Sequence, residues 1–347
     1  MNKLKIGIIG FGRMGITHFS IINSNEIIEV VAIADPSSVI LNIASKYIKN
    51  INTYINYKDL FEKEKIDAVI VSTPPFLNFE IIKRAFELNI HVFCEKPFTT
   101  NSNNAYYLVE HFEKHNLVNQ VGYVNRFNDS FIKAKQLLNN NVIGKLIRFK
   151  SEMYSRTITK KNDGNTWRDK HETGGGALFE VASHAIDLVN FLIGPPQKII
   201  GSNLVSIFSK NVEDAITSTF LYSDNISGTL NVNWSDESYR KPTNKIELFG
   251  TKGKILVDQH SVKIFLNKEN ENYKLNQGWN TLYITDIFNP VPFYVRGNEF
   301  TSQLYHFIDC VKANEPNTKC SFRNGFETLK VIEGILLDFE TNGKINN

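Results

Sequence analysis

Three glycines in the run Gly10-Phe11-Gly12-Arg13-Met14-Gly15 constrain this chain more than any other feature. The residues before them, LKIGIIG (4–10), are apolar and β-branched, as in a strand covered on both faces, and residues 13–24 read as a helix. A strand that turns on glycines into a helix presents that helix's unpaired N–H groups and positive dipole end at the turn. In such a turn Gly10 makes the tight bend, Gly12 lets the backbone approach a diphosphate, and Gly15 permits close helix–strand packing. The spacing alone is weak, since three glycines fall this way by chance in many chains. Its weight comes from the strand before it and the helix after it.

The same alternation continues. IIEVVAIAD (27–35) reads as a second strand and 38–49 as a helix; KIDAVIVST (65–73), NFEIIKRAFELN (78–89) and IHVFCEKP (90–97) repeat the theme. A helix over 101–115 and LVNQVGY (117–123) close the series. Alternating helices and continuous apolar strands predict a doubly wound parallel α/β sheet of Rossmann type. A chain of 347 residues exceeds the usual single domain, so residues 1–123 are expected to form a dinucleotide-binding domain and 124–347 a second, substrate-binding and oligomerisation domain. There the rhythm changes. A helix near 128–140 and the alternating run 145–155 precede three glycines (174–176) and a helix over 177–193. From 197 to 289 the runs are mostly strand-like, with a hairpin signal at Gly250-Thr251-Lys252-Gly253, and helices near 299–313 and 323–341 follow. This pattern predicts an α+β domain with a large open, mainly antiparallel sheet, one face of which needs cover from helices or another subunit.

Asp35 ends the second strand, about 20 residues beyond Gly15. A carboxylate there accepts hydrogen bonds from ribose hydroxyls and repels a 2′-phosphate, and Pro36-Ser37-Ser38 bring no arginine to neutralise one, so NAD(H) is favoured over NADP(H). A formal charge of +3, on scattered lysines, gives no footprint for nucleic acid or an acidic membrane. Cys94, Cys310 and Cys320 show no paired spacing and read as reduced, buried thiols of a cytoplasmic protein. The short N-terminal apolar run stops at glycine, and no stretch reaches bilayer length, so neither secretion nor a membrane span is expected.

Two further segments carry chemistry. Glu95-Lys96-Pro97 follows a predicted parallel strand, whose carboxyl end faces the ligand crevice in open α/β sheets. A lysine there can donate to a hydroxyl or carbonyl, and if desolvated trade a proton with it; a lysine before proline is by itself more often a surface residue. In the run from Gly174 to Asp187, Glu180 and His184 are i, i+4 neighbours on a helix, with Asp187 a turn further along the same face. A His/Glu pair suits acid–base chemistry, metal ligation or a satisfied core histidine; no cysteine or second histidine stands at metal spacing, so no metal is expected.

The order GxGxxG, then Glu-Lys-Pro, then Gly-Gly-Gly…His-x-x-Asp resembles the glucose–fructose oxidoreductase/inositol dehydrogenase (Gfo/Idh/MocA) family. Ser72-Thr73-Pro74-Pro75, Gly122-Tyr-Val-Asn125-Arg126-Phe127, Trp167-Arg168 and Gly250-Thr251-Lys252-Gly253 add to the likeness. The resemblance implies an NAD-dependent dehydrogenase that transfers a hydride between a carbinol carbon of a sugar or nucleotide-linked sugar and the nicotinamide. It also implies a homodimer or homotetramer. A cyclitol (inositol-type) dehydrogenase and a non-catalytic NAD-binding protein on the same scaffold are the alternatives.

Carried over, Lys96 would hydrogen-bond the reacting oxygen close to the nicotinamide, and His184 would be its acid–base partner or fix the substrate. Phe11, Arg13 and Met14 with the three glycines, and Ser72, Thr73, Pro74, Pro75 and Asn78, would line the cofactor site, with Glu95 and Asn125 nearby. Trp167 and Arg168 would reach the nicotinamide end or the substrate, and Tyr154, Arg156 and Asp187 would join Lys96 and His184 in holding the substrate. Asn233, Trp234, Tyr294 and Arg296 also stand where the second domain could face a substrate; arginines and aromatics there would suit an anionic, nucleotide-bearing substrate, and ordinary packing or surface roles equally. One departure stands out. Many family dehydrogenases place Asp four residues before the histidine, whereas this chain has Glu180, counted here among the catalytic residues. Its extra methylene shifts the carboxylate by about one bond length, so it is expected either in the proton relay or on a substrate hydroxyl or Lys96.

Overall fold

The computed structural model describes residues 3–161 and 163–343. Among these residues the chain forms two compact units, Met1–Val124 with Val291–Phe326 and Asn125–Pro290 with Glu327–Asn347. The first break follows the end of the parallel sheet, but residues 291–326 return to the first unit, so compaction does not follow a single cut at 123/124.

In the first unit β1 (Leu4–Ile9), β2 (Ile28–Ala34), β3 (Asn52–Tyr54), β4 (Ala68–Val71), β5 (His91–Cys94) and β6 (Asn119–Val121) make a parallel sheet in the order β3-β2-β1-β4-β5-β6. Every residue of β4 is buried, as a central strand covered on both faces requires. Between the strands run α1 (Arg13–Ile22), α2 (Ser38–Tyr47), α3 (Tyr57–Lys63), α4 (Pro75–Glu87) and α5 (Ser102–Lys114). Side-chain caps start three of them: Ser37 accepts from Ile40 N–H, Asn56 from Lys58 N–H and Asn101 from Asn104 N–H. Helix α4 begins at Pro75, earlier than the apolar pattern indicated, because proline at a first helical position sacrifices no hydrogen bond.

The second unit holds α6 (Asp129–Asn139), β7 (Leu146–Tyr154) and α7 (Ser183–Leu192). After them come β8 (Lys198–Val205), β9 (Ala215–Leu221), β10 (Ser227–Asn233), β11 (Thr243–Gly250), β12 (Gly253–Asp258), β13 (Ser261–Leu266), β14 (Gly278–Tyr283) and α8 (Ile284–Ile287). The strands form one sheet in the order β14-β13-β12-β11-β7-β10-β9-β8, antiparallel except where β10 runs parallel to β7. The hairpin read at Gly250–Gly253 joins β11 to β12. Helices α6 and α7 pack on this sheet. Along β7, Phe149, Ser151 and Met153 are buried, while Arg148, Lys150, Glu152 and Tyr154 alternate onto the other face. The expected helix over 177–193 opens instead with a π-helical turn, Leu178–Ala182, before α7.

Chain return completes the first unit. Helix α9 (Asn298–Ala313) buries Leu304, Phe307 and Ile308 in one cluster with Ile21, Phe93 and Val118. The exposed side of β6 is closed by Val121 N–H donating to Cys320 O at 2.8 Å, and the ring of Phe322, which opens α10 (Phe322–Asp338), stacks on Phe98 at 4.7 Å. Cys94, Cys310 and Cys320 are buried, and none of the three is in a disulfide. Among the described residues no helix is long and apolar enough to cross a membrane.

Candidate active site

The three glycines each meet a different demand. Gly10 sits at φ +85°, and a Cβ there would lie 2.7 Å from Ser72 O. A Cβ on Gly15 would fall 2.1 Å from Gly10 O, so only hydrogen lets α1 start this close to the turn. At Gly12 a Cβ would meet nothing within 4 Å, which leaves the backbone open to an approaching group. Gly12 caps α1 without a side-chain hydrogen bond and no acidic residue occupies the first turn, so the helix's first N–H groups remain available to an anion. A dinucleotide's diphosphate fits this cradle.

Asp35 follows β2 and is 8% exposed. Phe11 N–H donates to its Oδ2 at 2.7 Å and Ser37 N–H to its Oδ1 at 2.9 Å. These bonds aim the carboxylate across the glycine turn, and each oxygen keeps acceptor capacity for a ribose hydroxyl.

The segments after β4 and β5 are tied together. Ser72 Oγ donates to Gly10 O at 2.9 Å, Thr73 Oγ1 donates to Asn78 Oδ1 at 2.7 Å, and the buried Asn78 amide donates to Pro97 O at 3.2 Å. Asn78 is thus committed to pinning the Lys96–Pro97 turn to α4, where Pro74 caps and Pro75 begins the helix. Glu95 is held from two sides: its Oε1 meets His18 Nε2 at 2.7 Å, and its Oε2 accepts from Lys96 N–H at 3.3 Å. His18 is fully buried on α1 with its ring edge-on to Phe93 at 5.2 Å. Lys96 is half-buried beyond the end of β5. His18 was missed in the sequence although its signal was there, a histidine one turn beyond Gly15 on the inward side of α1. Tyr294 and Arg296, expected on the second domain, belong to the first unit.

In the second unit, Trp167 and Arg168 lie in a short 3-10 helix, with the Arg168 guanidinium 4.9 Å above the Trp167 ring and its Nε 3.5 Å from Glu180 Oε2. The glycine triplet admits the chain itself. A Cβ on Gly175 would lie 2.2 Å from Arg168 O, and one on Gly176 would lie 2.6 Å from Glu213 Oε1. Glu213, 3% exposed, accepts from Leu178 N–H at 2.6 Å and pairs with His171 Nε2 at 2.5 Å. The hydrogen bond to Glu213 raises the His171 pKa against the desolvation that would lower it. Neither His171 nor Glu213 stood out in the sequence, because the motif gives the glycines but not what fills the space beside them.

His184 is half-buried on α7, and Asn125 half-buried in the short 3-10 helix Val124–Phe127. Asp187 is committed to a partner within the second unit. It is 1% exposed and its carboxylate accepts from Arg126, Nε to Oδ2 at 2.9 Å and Nη2 to Oδ1 at 2.8 Å. Burial pushes this carboxyl up in pKa and the Arg126 guanidinium pulls it back. Oxygens so engaged form a buried ion pair with Arg126. Tyr154 ends β7. Its hydroxyl donates to Glu152 Oε1 at 3.2 Å, and burial with the Glu152 charge pushes its pKa up to about 12. It shares the open sheet face with Lys150 and Glu152, not the buried face of β7. Arg156 is exposed and Asn233 turns its Oδ1 to Ser235 N–H at 2.7 Å. Trp234 is buried, with its indole N–H on the Asp214 carboxylate. Among the described residues no group of three or more His, Cys, Asp or Glu is arranged to hold a metal ion.

Comparison with known proteins agrees with this geometry. Residues 4–123 match the family model described as oxidoreductase family, NAD-binding Rossmann fold, and residues 131–256 match the GFO/IDH/MocA C-terminal domain. An uncharacterised oxidoreductase of Schizosaccharomyces pombe is 31% identical over 150 residues, 43% of this chain, and the match spans only 40% of that relative's length. The 2,7-anhydro-N-acetylneuraminate hydratase of Mediterraneibacter gnavus is 29% identical over 74% of this chain and 68% of its own. The myo-inositol 2-dehydrogenase of Thermotoga maritima is 26% identical over 74% and 75%. A levoglucosan dehydrogenase solved with NADH and levoglucosan superposes with a TM-score of 0.84 over 98% of both chains at 18% identity, a likeness of fold. The parallel sheet with its glycine turn and Asp35, the mainly antiparallel second sheet and both family models agree: the chain belongs to the Gfo/Idh/MocA oxidoreductase family and carries its NAD-binding Rossmann domain.

Proposed function

We propose that this chain is an NAD-dependent dehydrogenase that transfers a hydride between a carbinol carbon of a sugar, free, acidic or nucleotide-linked, and the nicotinamide. The observation that carries the reading is the presence of the Gly10–Gly15 turn, Asp35 and Lys96 together at the carboxyl ends of β1, β2 and β5 in one parallel sheet. Ligands bind outside those strand ends in open α/β sheets. Strand β5 lies two places from β1, so Lys96 stands about 10 Å along the sheet from the diphosphate turn.

When bound, NAD(H) supplies the hydride acceptor or donor. The chain's residues supply position and proton handling. In the oxidising direction Lys96 takes the proton of the reacting hydroxyl; in reverse its ammonium donates to the carbonyl oxygen. Glu95, anchored by His18, holds the backbone of Lys96, and Asn78 holds the turn that follows. His184 serves as the acid–base partner or fixes the substrate. Glu180, with Arg168 beside it, accepts from a substrate hydroxyl. Residues 1–123 bind the dinucleotide, and 124–347 supply substrate and subunit contacts. A homodimer or homotetramer through the open sheet face is supported by Trp279 and Tyr283, both more than half exposed on β14.

The names of two relatives, one acting on an acidic sugar derivative and one on levoglucosan, support a sugar substrate; the Thermotoga maritima relative favours a cyclitol as the second reading. The test is NADH absorbance on mixing the purified protein with NAD+ and separate panels of free sugars, acidic sugars, cyclitols and nucleotide-linked sugars, with mass analysis of products. NADH formation from a sugar panel supports the proposal. NADH from cyclitols alone replaces the substrate class. A product that has gained water without NADH accumulating replaces the dehydrogenase reading with that of the hydratase relative.

A further inference from the structure

We propose that Arg296 is a diphosphate-binding residue of the dinucleotide site, brought to the Gly10–Gly15 turn by the returning segment of the first unit. This rests on the dinucleotide reading of that turn. The segment 291–326 folds with the first unit, and α9, which begins two residues after Arg296, packs against α1. Arg296 Nη1 lies 3.7 Å from Met14 Sδ, and Met14 stands between Gly12 and Gly15. The guanidinium also sits over the Phe300 ring, 5.0 Å from its centroid.

A thioether sulfur and an aromatic face orient a guanidinium without neutralising it, and they leave most of its five donors unspent. The side chain is exposed at the mouth of the turn. Arg13, the first residue of α1, is a like-charged neighbour: partial desolvation by the protein around it and the Arg13 charge push Arg296 down in pKa, and Glu95 opposes them. Glu95 is already engaged by His18 at 2.7 Å. Arg296 therefore stands by a helix start that already carries Arg13 and whose first turn holds no acidic residue, beside a glycine with open space around it. Such an arrangement is electrostatically unfavourable until an anion joins it. The anion of matching shape is a diphosphate, which a planar guanidinium engages with two parallel hydrogen bonds.

The experiment is calorimetric titration of the full chain with ADP-ribose, which carries the diphosphate and lacks nicotinamide, and with adenosine, which lacks both. Arg296→Gln is expected to weaken ADP-ribose about tenfold or more, to flatten the salt dependence of its Kd, and to leave adenosine unchanged. Arg296→Lys, which keeps the charge, is expected to recover part of the loss. ADP-ribose binding in Arg296→Gln within about twofold of wild type overturns the proposal. So does an equal loss for adenosine, which would mean a disturbed fold around the turn. Wild-type protein that binds neither ADP-ribose nor NADH overturns the dinucleotide reading as well, so the two failures are distinguishable.

Discussion

His18 Nε2 lies 2.7 Å from Glu95 Oε1, joining the helix that starts at the glycine turn to the strand end that carries Lys96. One buried imidazole thus couples the coenzyme-binding element to the catalytic candidate. Removing it leaves the Glu95 carboxylate without its partner and loosens its hold on the Lys96 backbone. His18→Leu is expected to lower turnover by about tenfold or more while NAD+ affinity stays within a few-fold, because small displacements of a reacting group are costly. Steady-state kinetics beside calorimetric NAD+ titration checks this, with His18→Gln restoring part of the rate. Unchanged turnover in His18→Leu would separate the pair from the chemistry.

Asp35 accepts from Phe11 and Ser37 N–H and still offers acceptor capacity to a ribose. Asp35→Ser removes the charge that disfavours a 2′-phosphate. NAD+ is expected to bind about tenfold more weakly and NADP+ more tightly, read as the ratio of the two dissociation constants. An unaltered ratio would mean that Asp35 serves only to fold the turn.

His171 binds its proton more tightly in the folded state because Glu213 accepts from it. Its contribution to stability is therefore fully present below the unfolded imidazole's pKa of about 6.5 and fades as pH rises through the higher folded value. His171→Gln should lower Tm more near pH 6 than near pH 9, measured by thermal unfolding across that range. An equal drop at both ends would remove the ion pair from the account.

Particular residues show what sequence alone could reveal. Strands β1, β4 and β5 were legible because burial on both faces leaves near-continuous apolar runs, complete in β4 and broken only near the start of β1 and β5. Strand β3 was not, since Asn52-Thr53-Tyr54 is a short polar edge without a period. Strand β14 hid for a different reason: its outward positions are Trp279, Thr281 and Tyr283, so the usual apolar-inward alternation is masked. No local pattern says which unit a helix will join, and the return of α9 and Arg296 to the first unit was therefore invisible. The roles of Gly10, Gly12 and Gly15 were readable because each follows from the missing Cβ at that place in the turn. The partners of Asp187 and Trp234, Arg126 and Asp214, were not legible because they lie far away in sequence.

Lys96→Met removes the amine proposed to handle the proton while keeping a side chain of similar length beside Glu95. NAD+ affinity is measured by calorimetry and turnover by NADH absorbance with whichever panel the wild-type protein oxidises. NAD+ is expected to bind within a few-fold of wild type while turnover falls by at least about a hundredfold. Undiminished turnover in Lys96→Met would contradict that expectation and remove Lys96 from the mechanism.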